Sequence, residues 1–290
     1  MLIHHHLKPS MPSRVVVIGA GGFVGGAIVR QMGLDNIPTV GLTRKDVDLL
    51  QSDAVDKLKD ILQPTDSVVV VSAIAPAKTV KMLMDNLRMV EAICEALAST
   101  PIHHLVYISS DAVYTDDANP VREDSPRAPT TTHGMMHAAR ELMLSASTAA
   151  PVVHLRPTLI YGAADPHNGY GPNRFRRQTR KGEPIQIFGE GEEKRDHVLI
   201  DDVARIAALA LSHRSEGAIN VVTGVSTSFK DIAEIVAKQF DGTVVSQPRP
   251  GPRPHLVHRF FDVTNTYKAF PTFCYTPLAK GLELSKQGGI

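Results

Sequence analysis

Cysteine is nearly absent from this chain: Cys94 and Cys274 are its only two, far apart in 290 residues and in no metal-type spacing. No disulfide framework and no metal site are expected, and the natural setting is a reducing, cytoplasmic one. Long apolar runs are missing too. No stretch approaches the roughly 20 residues of a membrane-spanning helix, and the N-terminus lacks the apolar core of a secretion signal, so a soluble chain is expected. Nor does one sign of charge prevail: 31 Lys and Arg stand against 30 Asp and Glu, a formal net charge of +1. Neither nucleic acid nor a membrane surface therefore has an overall electrostatic claim on it. What remains is a chain long enough to bury a sizeable core, as one large domain or one domain with a smaller lobe.

The first positive signal is Val15-Val16-Val17-Ile18, a short apolar run that reads as a buried parallel strand. It runs into Gly19-Ala20-Gly21-Gly22-Phe23-Val24-Gly25, and a helix continues through Ala27, Ile28 and Val29. Glycines between a strand and a helix allow a tight turn and a close approach of backbone to a pyrophosphate, which the free N–H groups of the helix then face. A dinucleotide cofactor is expected on Gly19, Gly22, Phe23, Val24 and Gly25, with Ser72 after a later strand. The end of the second strand, Thr39-Val40-Gly41-Leu42, is followed by Thr43-Arg44-Lys45 rather than by an acid. Arg44 and Lys45 suit the 2'-phosphate of NADP. Asp46 and Asp48 follow closely and keep NAD open, and solvated loop charges are the plainer alternative.

Strand-like runs at residues 68–72, 104–109 and 152–156 alternate with helical patterns, as in a Rossmann-type doubly wound parallel sheet. Residues 80–98 carry Leu83, Leu87, Val90, Cys94 and Leu97 at helical spacing and stop before Pro101. From residue 163 to 184 the composition turns to Gly, Pro, Asn and Arg, which suits loops that cover a substrate. The expected organisation is a flexible N-terminus over 1–12, with His4-His5-His6 either native or appended and Met11 a plausible start. A dinucleotide-binding domain follows over 13–165, rejoined by about 198–225 through a strand near 218–223. A smaller substrate-binding lobe takes 166–197 and 226–290.

Three further stretches complete a pattern: Tyr107-Ile108-Ser109-Ser110-Asp111-Ala112-Val113-Tyr114, residues 155–162 (Leu-Arg-Pro-Thr-Leu-Ile-Tyr-Gly), and residues 195–203 from Arg195 to Val203. In order and spacing they resemble the extended short-chain dehydrogenase/reductases, the NAD(P)-dependent epimerase/dehydratase family, from Val15 to about Leu282. The resemblance implies redox chemistry on a nucleotide sugar. A Ser or Thr, a Tyr and a Lys cooperate there: the Tyr moves the proton of a substrate hydroxyl, and the Lys lowers the Tyr pKa and holds the nicotinamide ribose. Ser110 matches the Ser/Thr position. Asp111 matches the acid of the dehydratase branch, but Ala112 stands where its glutamate partner is expected.

The Tyr and Lys positions fall on His133 and His137. Imidazole titrates near neutrality and is a credible acid/base, but it is shorter than lysine and carries no permanent charge. Three readings compete. His133 is the acid/base with His137 tuning it or holding the ribose; both have drifted and the protein is an inert cofactor sensor or partner-binding module; or the two, four apart on one helix face, chelate a metal, for which no third ligand is evident. Tyr114, Tyr161 or Tyr170 remain candidates to replace the missing phenol in space.

On the substrate side the resemblance implies that Asn173, Arg174 and Arg195 hold a nucleotide diphosphate, with Arg249 or Arg253 as a further contact, since guanidinium forks match phosphate oxygens. The plainer alternative for Arg174, Arg176, Arg177 and Arg180 is a solvated helix face. Asn86 reads as a buried backbone anchor, and one of Asp201 and Asp202 as a helix cap. The helix that carries the two histidines is apolar afterwards, with Arg140 and Glu141 as its only charges, and relatives imply a homodimer through it. The expected function is NADP-dependent epimerisation or keto reduction of a nucleotide-linked or similar polyhydroxy substrate.

Overall fold

A computed structural model describes residues 2–249, 251 and 258–287. In chain order its elements are β1 (Ile3–His4), β2 (Arg14–Ile18), α1 (Phe23–Leu34), β3 (Thr39–Leu42), α2 (Ala54–Ile61), β4 (Asp66–Val70), α3 (Val80–Ser99), β5 (His104–Ile108), a 3-10 turn (Asp111–Val113), α4 (Thr132–Ala146) and β6 (Val152–Pro157). There follow β7 (Leu159–Tyr161), α5 (Pro172–Arg180), β8 (Ile185–Phe188), β9 (Lys194–Leu199), α6 (Ile200–Ser212), β10 (Ser215–Val221), β11 (Ser226–Ser228), α7 (Phe229–Phe240), β12 (Val244–Gln247), α8 (Thr264–Ala269) and α9 (Leu278–Gln287).

Among the described residues the main sheet has seven strands in the order β1-β10-β6-β5-β4-β2-β3, all parallel except β1. Its central strands are apolar without alternation because helices cover both faces. Ile28 and Met32 of α1 and Val203 and Ala207 of α6 fill one side. Leu58 of α2, Val90, Ile93 and Leu97 of α3 and Leu144 of α4 fill the other. Burying one such side chain is worth roughly 1.5–3 kcal/mol, so these two layers dominate the stability of the sheet. The chain leaves the main sheet after β6, builds β7 and β9 with β11 into a three-stranded sheet, returns for β10, and leaves again to pair β12 with β8.

Three expectations change. The N-terminus is not loose: Ile3 and His4 pair antiparallel with Glu216 and Ser215, and the His4 ring bonds to the Ser215 hydroxyl at 2.8 Å and the Ala269 carbonyl at 3.0 Å. A polar ring with two fixed partners at a free sheet edge outweighs the usual fraying of a terminus. Neither Asp201 nor Asp202 caps α6, whose N-cap is Leu199. Asp202 is instead buried and accepts from the Thr276 amide at 2.7 Å and from Arg205 at 2.9 Å, tying the C-terminal segment to α6. The Gly- and Pro-rich stretch after residue 163 is only partly loop, because Pro172 at the first position of α5 starts a helix there.

Candidate active site

The glycine loop closes against the end of β4. Gly19 has φ +102°, and a Cβ on it would lie 2.6 Å from the Ser72 amide nitrogen, so only glycine fits. A Cβ on Gly25 would meet the Gly19 carbonyl. Gly22 caps α1 without a side-chain bond, and no acid stands in the first turn through Phe23, Val24 and Gly25. That positive helix end therefore faces the loop uncompensated, as an anion site requires. The Ser72 hydroxyl is buried without a protein partner. This cradle and this orphaned hydroxyl fit a dinucleotide. Thr43 lies at the loop's edge, its methyl 3.5 Å from where a Gly21 Cβ would be. Asp46 holds the Thr43 amide at 2.8 Å, and Asp48 holds the exposed Arg44 guanidinium at 3.1 Å. The Thr43 amide pulls the Asp46 carboxyl below its usual range, and the Leu50 amide, then Arg44, does the same for Asp48.

The two histidines sit at the start of α4, which Thr131 caps by accepting from the Gly134 amide at 3.1 Å. Gly134 has no room for a Cβ, which would run into the Ala112 carbonyl and come within 2.7 Å of Pro129. The helix is thus pressed onto the 3-10 turn that Ser110 caps, where the Ser110 hydroxyl accepts from the Ala112 amide at 3.1 Å. His133 is half-buried, and its Nδ1 accepts from the Ala77 amide at a long 3.4 Å. Burial, then the nearby His167, lowers its pKa. His137 is buried with Nδ1 2.7 Å from the Tyr107 hydroxyl, and the two imidazoles meet edge to face at 4.7 Å. Burial, then His133 and Arg140, holds its pKa well below the ordinary value.

Sequence reasoning assigned no role to Tyr107 or Arg140. Tyr107 supplies the phenol at the pair, and burial pushes its pKa up to about 12. The other candidate tyrosines lie elsewhere: Tyr114 donates to Asn220 at 2.7 Å, Tyr170 accepts from the Phe188 amide at 2.9 Å, and Tyr161 lies against Gly281 with its hydroxyl buried and unbonded among the described residues. Arg140 donates to the Ser72 carbonyl at 2.6 Å and to Asn86 at 3.2 Å, while Asn86 also anchors the Ile74 backbone. The sequence did mark Arg140 as a charge in an apolar helix. No metal-ligand group of three or more His, Cys, Asp or Glu exists among the described residues.

On the substrate side the buried Glu193 gathers two of the expected arginines. Arg195 lies 3.8 Å from one of its oxygens, and Arg249 is ion-paired to the other. Arg253 lies outside the described residues. Arg174 stacks over Phe188 with Cζ 5.8 Å from the ring centroid. Asn173 is not with them: its amide bonds the Gly162 nitrogen at 3.1 Å and the Ile160 carbonyl at 3.3 Å. Arg176 is no solvated face residue either, being buried and donating to the carbonyls of Gly162, Ala163 and Ser285. Arg259 went unforeseen. It is buried with Nε 3.5 Å from the Asp111 carboxylate and donates to the Asp111 carbonyl at 3.1 Å. Burial raises the Asp111 pKa, and Arg259 opposes that.

Comparison with known proteins agrees with this construction. Residues 15–223 match the model of the NAD dependent epimerase/dehydratase family. A UDP-glucose 4-epimerase of Mycolicibacterium smegmatis is 27% identical over 255 residues, covering 77% of this chain and 82% of that protein. A GDP-L-fucose synthetase from Naegleria fowleri bound to NADP superposes with TM-score 0.83 at 18% identity, over 99% of this chain and 97% of the other. A Thermus thermophilus UDP-glucose 4-epimerase in complex with NAD gives 0.81 at 24% identity, over 94% and 97%. A glycine cradle that admits no side chain, set in this strand order and matched over most of the chain, makes the protein an enzyme of the NAD-dependent epimerase/dehydratase family.

Proposed function

We propose that the protein carries out NADP-dependent epimerisation or keto reduction at a carbinol carbon of a nucleotide sugar or similar polyhydroxy substrate, with His133 as acid/base. The observation that supports this is the contact of α4 with the Ser110 turn through Gly134, the chain neighbour of the half-buried His133. A bound nicotinamide supplies the hydride acceptor or donor. His133 takes the proton of the substrate hydroxyl or returns it, and the Ser110 hydroxyl bonds the reacting oxygen. Ala112 in place of a second acid argues against dehydration. Arg195 and Arg249, brought together by Glu193, suit a diphosphate in the lobe formed by 166–197 and 226–290. Arg44 and Lys45 favour NADP, as Arg44 needs only to release the surface carboxylate of Asp48. The exposed Val80 and Met84 of α3 and Leu142 of α4 suit a homodimer, which the mass in solution checks.

The Ala77 amide favours a second reading, an inert NADP(H)-binding sensor. An amide donating to Nδ1 leaves the ring proton on Nε2, a form that gives a hydrogen bond rather than taking a proton there. At 3.4 Å the bond is long, and losing it costs no more than about 1 kcal/mol, so the catalytic reading stands first. Purified protein incubated with NAD(H) or NADP(H) and a panel of nucleotide sugars decides the matter, with product mass, sugar stereochemistry and nicotinamide oxidation followed. Turnover preferring NADP(H) and lost in His133→Ala is expected; tight cofactor binding with every sugar unchanged supports the sensor.

A further inference from the structure

A lysine at position 137 would bring a permanent cation to this site, and histidine does not. The cation is nevertheless present one turn away. Arg140 is fully buried, and its Cζ lies 5.3 Å from the centroid of the Tyr107 ring whose hydroxyl meets His137. Its other bonds are neutral: the Ser72 carbonyl, the Asn86 amide oxygen and the Met136 sulfur. The neighbouring acids are engaged elsewhere. Glu141 pairs with Arg156 at 2.7 Å and Arg127 at 3.2 Å, and Asp85 of α3 pairs with Lys81 at 2.5 Å and Arg88 at 3.5 Å. Among the described residues no carboxylate pairs with Arg140; Glu141 opposes it at Tyr107 only from a distance, its own charge being held by Arg156 and Arg127.

The proton arrangement at His137 follows from the phenol. Tyr107 is buried, and the only partner of its hydroxyl among the described residues is His137 Nδ1 at 2.7 Å. A phenol that accepted from Nδ1 would leave its own O–H buried and unused, at a cost of roughly 1–3 kcal/mol. The phenol therefore donates, Nδ1 is the acceptor, and the ring carries its proton on Nε2. We propose that Tyr107 and Arg140 are positioning residues that hold His137 as a neutral, Nε2-protonated imidazole, with Arg140 as the site's permanent cation. His133, whose Nδ1 accepts only the long 3.4 Å bond from the Ala77 amide, is then the imidazole of the pair that is less tightly held and left to carry a proton. The groups that face His137 are His133 and Arg140 on α4 and Tyr107 on β5, with His154 of β6 on the edge of Tyr107 at 6.0 Å. No acid among them favours the imidazolium, and burial lowers the His137 pKa in the same sense.

The inference rests on reading α4 as the acid/base helix, but its test needs no turnover. In nitrogen-15 histidine NMR of the full chain, with the resonance assigned by its loss in His137→Asn, His137 is expected to show an unprotonated Nδ1 and a protonated Nε2. It should keep that form across about pH 5 to 8, where an ordinary histidine titrates. A protonated Nδ1, or titration within that window, overturns the proposal whatever the variants do. Tyr107→Phe should release the tautomer into a mixture. Arg140→Met should raise the pH at which His137 begins to protonate, and Arg140→Lys should restore the silent ring; an onset that ignores the charge overturns the role of Arg140. A silent His137 in a protein that turns over no sugar would leave this inference standing and remove the catalytic reading.

Discussion

Gly19 shows what a single residue decides here. Its φ of +102° and the 2.6 Å gap to the Ser72 amide leave no place for a methyl group. Gly19→Ala should cost roughly 1–3 kcal/mol of stability from backbone strain alone and weaken NADP(H) binding at least tenfold, read by thermal melts with and without cofactor. A variant that binds cofactor normally would refute the cradle. The loop was legible in the sequence because strand, glycines and helix are neighbours in the chain, and their chemistry is local. Arg259 was not legible, since its partner Asp111 is 148 residues away and nothing near Arg259 announces the pairing. Tyr107 was equally silent: on a strand buried along its whole length, a tyrosine reads as core until the residue above its hydroxyl is known.

At the scale of elements, a buried carboxylate ties α4 to two strands of the sheet at once. Glu141 accepts from Arg156 at 2.8 and 2.7 Å and from the Ser109 hydroxyl at 2.6 Å, joining α4 to β6 and to the end of β5. Burial pushes its pKa up, and Arg156, with His154 and the Ser109 hydroxyl, more than reverses this. Removing the charge leaves Arg156 buried and unpaired, so Glu141→Gln should lose about 3–5 kcal/mol in urea unfolding, against about 1 kcal/mol for the α4 cap variant Thr131→Ala. Equal small losses would mean that the pair does not anchor the helix. Helices and strands were readable from apolar spacing alone, as residues 80–98 illustrate, because packing on one face repeats within the element. Their ends were less so: the expected strand 68–72 stops at Val70, since Ser72 belongs to the turn that meets Gly19.

For the whole molecule, the buried histidines set how stability follows pH. Burial pulls His104 and His154 down from 6.5 to about 4. Both are neutral in the folded state, and the unfolded chain takes up their protons first as pH falls. Their contribution is intact above about 6.5 and is lost between there and about 4. Asp196 works the other way, raised by burial to about 6, so the folded state gains its proton first. Burial also lowers His137 and His197 and raises Asp111, so the histidines outnumber the acids; the urea midpoint should fall across this window, and less steeply in His154→Gln, and an unchanged slope would refute the assignment. The doubly wound parallel sheet was open to inference from alternating elements, whereas the pairing of Ile3 with Glu216 was not, because two residues carry no period.

The chain's double visit to the main sheet has a consequence for how the molecule could be divided. β2 to β6 lie before residue 158 and β10 after residue 214, yet β10 and β6 are hydrogen-bonded neighbours. A cut in the turn after α5, near Gly182, would leave each fragment holding strands of one continuous sheet. The fold therefore divides into two pieces that share one sheet and, on the proposed reading, one active site, with the glycine loop and the histidine pair in the first piece and Arg195 and Arg249 in the second.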